Sequence, residues 1–318
     1  MDLTSIFPGG FSATPLVREN TSRPGNDSPS FFELAHNSGL IINTSILDGK
    51  IHRVPVAGDK QSKKSGWYVY FDGDFPAGSF GNWKTGETQT WSQHDKASLS
   101  LGDQERQRIT IEAANRAAEK ERDRLHEAAA QTAAAIINAM VPIKDHPYLQ
   151  SKGIEPTGLV GCAEDGRLVV PMVTVDGELV SLQYISGNGS KQYLKGGRKG
   201  MFVINPDSDP RKIYIVEGYA TGVTVAEATG GMTAVAFDTS NLKTTAKQLK
   251  DKYPTAQIII AADNDQFTEN NPGLTYAQIA AEQTNGTVIH PEFIDLSNKP
   301  TDFNDLQQQS GIDTVRNQ

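Results

Sequence analysis

At 318 residues, with a net charge of −8 and a single cysteine, Cys162, the chain is long enough for two or three domains that each bury a core. One thiol excludes an internal disulfide and any cysteine-based zinc ribbon, and it fits a reducing cytoplasm. The acidic balance excludes coating of nucleic acid through bulk charge, so a grip on phosphates must come from local basic patches.

Residues 1–28 are rich in Ser, Thr, Pro, Gly and Asn and read as a flexible arm, with Ile6 and Phe7 as its first apolar residues. No basic segment there leads into an apolar run, and no later stretch approaches the roughly 20 apolar residues of a membrane span, so neither secretion nor membrane insertion is expected. Residues 29–95 read as an α+β module: a helix over Phe31–Ile42, strands at Ile51–Val56 and Trp67–Phe71, and a basic loop, Asp59–Ser65, between them. From 96 to 140 the composition shifts to Ala, Glu, Arg and Gln, which predicts a helical connector, one long helix or two with a bend. Its first half carries pairs such as Glu112 and Arg116, whereas Ala128–Ala139 is more apolar and suits packing into a domain.

Residues 141–206 open with HPYLQSKGI, a short helix and turn, and continue as a hairpin of Arg167–Val173 and Leu179–Ile185 around Asp176-Gly177. Residues 207–318 alternate regularly. Strands at Lys212–Val216, Thr233–Phe237, Gln257–Ala262 and Thr287–Ile289 are separated by helices at Ala220–Ala228, Leu242–Lys250 and Leu274–Gln283, the pattern of a mostly parallel sheet flanked by helices.

In such sheets the binding crevice lies beyond the carboxyl ends of the strands. Here those ends are acidic: Glu217-Gly218 follows one strand, Asp238 another, Asp263-Asn264-Asp265 a third, and Asp302 and Asp305 lie in KPTDFNDL. Each acid alone can equally be the N-cap of the next helix. Together they form a cluster in which two carboxylates about 5 Å apart repel by roughly 3 kcal/mol, a cost that a divalent cation removes. All-oxygen ligands favour Mg²⁺ or Mn²⁺ over zinc, and the chemistry implied is phosphoryl transfer. Histidines 36, 52, 94, 126, 146 and 290 are scattered without paired ligand spacing.

The motifs VEGYATG (216–222), AADND (261–265) and DFNDL (302–306) resemble the Toprim domain of bacterial, phage and plasmid DNA primases, and the segment 146–202 resembles the region that precedes Toprim in those enzymes. That resemblance implies an α/β Toprim catalytic domain over 207–318, preceded by a small mixed α/β basic primase subdomain over 141–206. It implies Glu217 as general acid/base, Asp263 and Asp265 as catalytic metal holders, and Asp302 and Asp305 as further metal candidates. Bacterial replicative primases carry an acid soon after the Glu-Gly, whereas this chain has Thr221, as plasmid and satellite-phage primases do.

Lys191, Lys195, Arg198 and Lys199, interleaved with Tyr193 and glycines, are the candidates for nucleotide or template phosphates. The alternative for them is a solvated loop. Residues 47–91 resemble the N-terminal region of conjugative-plasmid primases. Their basic and aromatic mixture marks Lys63, Lys64, Trp67 and Trp83 for single-stranded DNA, against the alternative that the rings, Trp67 among them, form a small core. The expected activity is synthesis of short RNA primers from ribonucleoside triphosphates on single-stranded DNA. A Toprim nuclease and a non-catalytic single-stranded DNA-binding protein are the rivals. No GxxxxGK[ST] loop occurs, so any helicase is expected to be a separate partner.

Overall fold

A computed structural model describes residues 30–59, 63–73, 76–83, 85–93, 100–143 and 145–318; the expected arm, with Ile6 and Phe7, lies outside the described residues, as does His94. The chain divides into two compact units, Met1–Arg124 and Leu125–Gln318.

In the first unit, α1 (Phe31–Asn37) begins with a capping box in which Ser30 and Glu33 each satisfy the other's backbone N–H. It ends sooner than its apolar spacing predicts because Gly39 turns left-handed at φ +84°. Strands β1 (His52–Val54), β2 (Gly66–Phe71), β3 (Ala77–Asn82) and β4 (Thr88–Ser92) form an antiparallel sheet in that order. The third strand is hidden in sequence by its glycines, and packing explains them. A Cβ on Gly78 would sit 2.6 Å from the Phe31 ring, and one on Gly81 2.4 Å from the Glu87 carbonyl oxygen. Close approach of α1 to the sheet gives a core of Phe31, Ala35, Leu40, Val56, Tyr68 and Phe80.

The helix α2 (Leu101–Ala139) is continuous, and the boundary between the units falls within it. Its first part is held by solvent-facing pairs such as Glu112–Arg116 at 3.7 Å, each worth a few tenths of a kcal/mol. Its last part buries Ala133 against Val169 and Leu182.

The second unit starts with α3 (Pro147–Lys152), stopped by Gly153 at φ +62°. An antiparallel sheet follows: β5 (Gly161–Cys162), β6 (Leu168–Val173), β7 (Leu179–Ile185) and β8 (Lys191–Tyr193). The central hairpin is buried on both faces, with Val169 and Leu182 toward α2 and Leu168, Val170, Met172 and Ile185 toward the main core. Burial on both sides is why those strands read as unbroken apolar runs.

Next come β9 (Phe202–Ile204), β10 (Lys212–Val216), α4 (Tyr219–Thr229), β11 (Met232–Val235), α5 (Thr239–Lys252), β12 (Gln257–Ala261), α6 (Pro272–Thr284), β13 (Thr287–Ile289), α7 (Phe303–Ser310) and α8 (Ile312–Asn317). Their sheet runs β13-β12-β10-β11-β9, parallel except for the antiparallel edge strand β9, which periodicity did not reveal in three residues. Helices α4, α7 and α8 cover one face through Val223, Phe303, Leu306 and Val315. The other face is covered by α5 and α6 through Leu242, Ala246, Leu249, Ala277 and Ala280. No described helix is long and apolar enough to cross a membrane.

Candidate active site: carboxylates at the ends of the parallel strands

The central strand β10 pairs in parallel with both β11 and β12, in a register that sets Val216 beside Val235 and Ile215 beside Ile260. The residues that follow these strands, Glu217, Ala236 and Ala262-Asp263, therefore emerge along one edge. Gly218 caps α4 without a side chain, so the chain turns at once from strand to helix and leaves Glu217 at the strand tip. On the β12 side, the backbone N–H of Gly273 donates to Asp265 Oδ2 at 3.0 Å, which fixes the Asp-x-Asp loop against the start of α6. Asp302 caps α7 and accepts from Asp305 N at 2.8 Å.

Electrostatically this is one cluster. Burial pushes the Glu217 carboxyl up to about 7, opposed by the Lys191 ammonium and reinforced by Asp265, Asp238 and Asp302. Asp263 is raised well above the ordinary range, first by burial and then by Asp302, Glu217 and Asp265. Its Oδ1 is buried with no hydrogen-bond partner among the described residues. Asp302 is raised by burial and by Asp305, against Lys152 and Lys191. Lys191 is the cation common to all three, and its Nζ lies 3.5 Å from where a Cβ on Gly218 would stand.

Two of the acids are engaged elsewhere. Asp305 accepts from Thr301 N at 2.9 Å and pairs with Lys152 Nζ at 3.4 Å, so its carboxylate closes the α7 capping box and ties it to α3. The Asp305 carboxylate thus has partners on both oxygens. Asp238 caps α5 through Asn241 N and meets Lys199 Nζ at 3.1 Å. Sequence reading overlooked Lys152 and Gly273, although an Asn-Pro-Gly helix start signals close backbone approach.

Among the described residues, no three Asp, Glu, His or Cys side chains already stand close enough to hold one ion together. The donor set nevertheless suits a hard divalent cation. The desolvated carboxylates, one with a buried oxygen that has no partner among the described residues, share Lys191 as their common cation, and their pKa values stay raised despite it. Mg²⁺ commonly takes only one or two carboxylates and fills its remaining positions with water and phosphate oxygens.

The basic residues divide. Lys195 and Arg198 are exposed and have no side-chain partner among the described residues, whereas Lys199 pairs with Asp238. In the first unit, Lys63 and Lys64 are exposed beside Ser65, whose carbonyl accepts from Trp83 N at 2.8 Å. Trp83 is half-buried, its ring 5.6 Å from Trp67, with the Arg53 guanidinium 5.9 Å away. Trp67 itself is 5% exposed and packs over Gly81, the burial that the small-core alternative describes.

Residues 212–313 match a family model described as the Toprim domain. The chain is 37% identical over 288 residues to a DNA primase TraC of Escherichia coli, covering 84% of this chain and 20% of that protein. A second Escherichia coli DNA primase TraC is 37% identical over 281 residues, covering 83% of this chain and 26% of it. The chain thus spans about a fifth to a quarter of the length of these relatives. Among solved structures, the RNA polymerase domain of Mycobacterium tuberculosis primase DnaG superposes with a TM-score of 0.38 at 16% identity, over 61% of this chain and 82% of that one. The strand-end carboxylates therefore lie within a Toprim domain, in a chain similar over most of its length to part of DNA primase TraC.

Proposed function

We propose that this chain synthesises short RNA primers on single-stranded DNA by nucleotidyl transfer at the Glu217–Asp263–Asp265 cluster. The observation that carries the reading is the desolvated carboxylate set at the ends of β10 and β12, with an unpartnered Asp263 oxygen and Lys191 facing it. Asp263 and Asp265, with Glu217 and Asp302 beside them, would hold Mg²⁺ or Mn²⁺. Such an ion supplies charge neutralisation for the triphosphate and the departing pyrophosphate.

In the reaction the primer 3′-hydroxyl oxygen bonds to the α-phosphorus of the incoming ribonucleotide, and the bond to the β-phosphate oxygen breaks to release pyrophosphate. In this reading Glu217, at the tip of β10 beside the Asp-x-Asp loop, is the group that accepts the hydroxyl proton. Lys191 stays beside the cluster to meet phosphate charge, and the exposed Lys195 and Arg198 extend that positive surface toward template or nucleotide. Incubation with single-stranded DNA, Mg²⁺ and labelled ribonucleotides tests the reading. Products longer than one nucleotide support it, whereas shortened DNA with no new RNA assigns the cluster to a nuclease.

The first unit supplies template contacts in this proposal, with Lys63 and Lys64 on phosphates and the exposed part of Trp83 against a base. The double substitution Lys63→Met, Lys64→Met is expected to weaken binding of single-stranded DNA and to lower the slope of log K against log salt by about 1.4, at roughly 0.7 per lost contact. An unchanged slope in filter-binding titrations removes these lysines from the interface.

A further inference from the structure

The loop 194–198, between β8 and β9, carries Lys195 and Arg198, and it is fastened on both sides to one turn of the Toprim sheet. Before the loop, the Tyr193 hydroxyl donates to the Phe237 carbonyl at 2.9 Å. After it, Lys199 Nζ donates to Asp238 Oδ1 at 3.1 Å and to Ser240 Oγ at 2.6 Å, while Asn241 Nδ2 donates to the carbonyls of Gly200 and Ala236, both at 2.9 Å. The turn that receives these bonds is itself strained. Phe237 is a buried aromatic residue at φ +71°, a conformation that L residues with bulky side chains rarely adopt, and such outliers persist only where surrounding contacts over-determine them. Gly200 has no room for a Cβ, which would lie 2.7 Å from the Val173 carbonyl oxygen, so the backbone after Lys199 cannot slide.

We propose that Lys199 and Asp238 are a positioning pair that, together with Tyr193, pins the loop 194–198 so that Lys195 and Arg198 present their charges to nucleic-acid or nucleotide phosphates as a fixed set. Lys199 is thereby removed from the phosphate ligands and made the anchor of the loop. Its ammonium already has a carboxylate and a hydroxyl, whereas Lys195 and Arg198 have neither among the described residues. Asp238 does two jobs at once, since the same Oδ1 also accepts from the Asn241 N–H and starts α5. The phosphate part of the proposal rests on the primase reading above; the anchoring part does not.

Two measurements on the full chain separate them. Backbone hydrogen exchange is followed at Leu194 and Gly197, whose amides donate to the carbonyls of Leu182 and Leu194. Lys199→Met and Asp238→Asn, the latter keeping a helix cap, are each expected to raise exchange there up to roughly fivefold. The double variant is expected to be no faster than either single one, as partners in one interaction are not additive. Unchanged exchange in both single variants, or fully additive acceleration, overturns the pairing whatever the protein binds. In salt titrations of single-stranded DNA binding, Lys195→Met and Arg198→Met are each expected to lower the slope by about 0.7, while Lys199→Met leaves the slope unchanged and lowers affinity equally at all salt concentrations. A slope that falls with Lys199→Met overturns the assignment of Lys199 as anchor. Absence of any DNA binding by the unsubstituted chain defeats the primase reading and the presentation of Lys195 and Arg198, while the exchange result still decides the anchor.

Discussion

Asp263→Asn is expected to abolish primer synthesis, by roughly a thousandfold or more, while making the metal-free chain more stable. The carboxylate is raised far above its ordinary range by burial and by three neighbouring acids, and one of its oxygens has no partner among the described residues. Such a group disfavours the folded state whenever it must ionise. An amide of the same shape removes the charge, so in chelator at pH 8 the melting temperature is expected to rise by about 2–4 °C per kcal/mol recovered. The stabilisation by Mg²⁺, which reflects binding to the folded state alone, should shrink in the same variant. A variant that keeps its Mg²⁺-induced shift and its synthesis would place the ion away from Asp263.

The same cluster gives stability an unusual pH dependence. Glu217 holds its proton up to about pH 7 in the folded chain but only to its ordinary value, 4.5, when unfolded. Between those values the folded state binds more protons, so the contribution is fully present below the window and is lost as pH rises through about 7. In chelator, melting temperature is therefore expected to fall between pH 5 and pH 8 by the equivalent of roughly 1–3 kcal/mol, and Glu217→Gln flattens the profile. Added Mg²⁺ at pH 8 restores the loss, because it stabilises the ionised acids. A flat profile in the unsubstituted, metal-free chain would show that these carboxylates are not desolvated together.

Gly273→Ala is the second large effect. A methyl there would lie 2.2 Å from the Asp263 carbonyl oxygen and 3.0 Å from Asp265 Oδ2, and the Gly273 N–H is what holds Asp265 in place. The closer neighbour is backbone and cannot swing aside, so the Asp-x-Asp loop and the start of α6 must part. Overpacking of this kind costs about 1–3 kcal/mol. Displacing the carboxylates by about 1 Å is expected to cost a hundredfold or more in synthesis. Gly102→Ala, in an exposed helical turn where the nearest atom is 3.9 Å away, serves as the control and should leave both properties unchanged. Equal behaviour of the two variants in thermal melts and primer assays would mean that the Asp263–Gly273 approach is not needed.

What could be read in the sequence follows from how each element is buried. The Toprim strands and helices were legible because they alternate with near-constant length, and the position of Glu217, Asp263 and Asp265 beyond the strand ends was legible because each follows an unbroken apolar run. β3 was not, since its Gly78 and Gly81 answer to Phe31 and Glu87, which come from other elements. Nor could the engagement of Asp305 with Lys152, or of Lys199 with Asp238, be read, because both pairs join residues far apart in sequence that meet only after folding. Trp67 shows the opposite limit: aromatic and basic composition alike suits a nucleic-acid surface and a small core, and only burial distinguishes them.

The most direct measurement is a crystal of the chain soaked in Mn²⁺ and recorded at a wavelength where manganese scatters anomalously. An ion bound by carboxylate oxygens of Glu217, Asp263 or Asp265 at about 2.0–2.4 Å, beside Lys191, is the predicted result. Manganese bound elsewhere, with those three side chains turned apart, would contradict it.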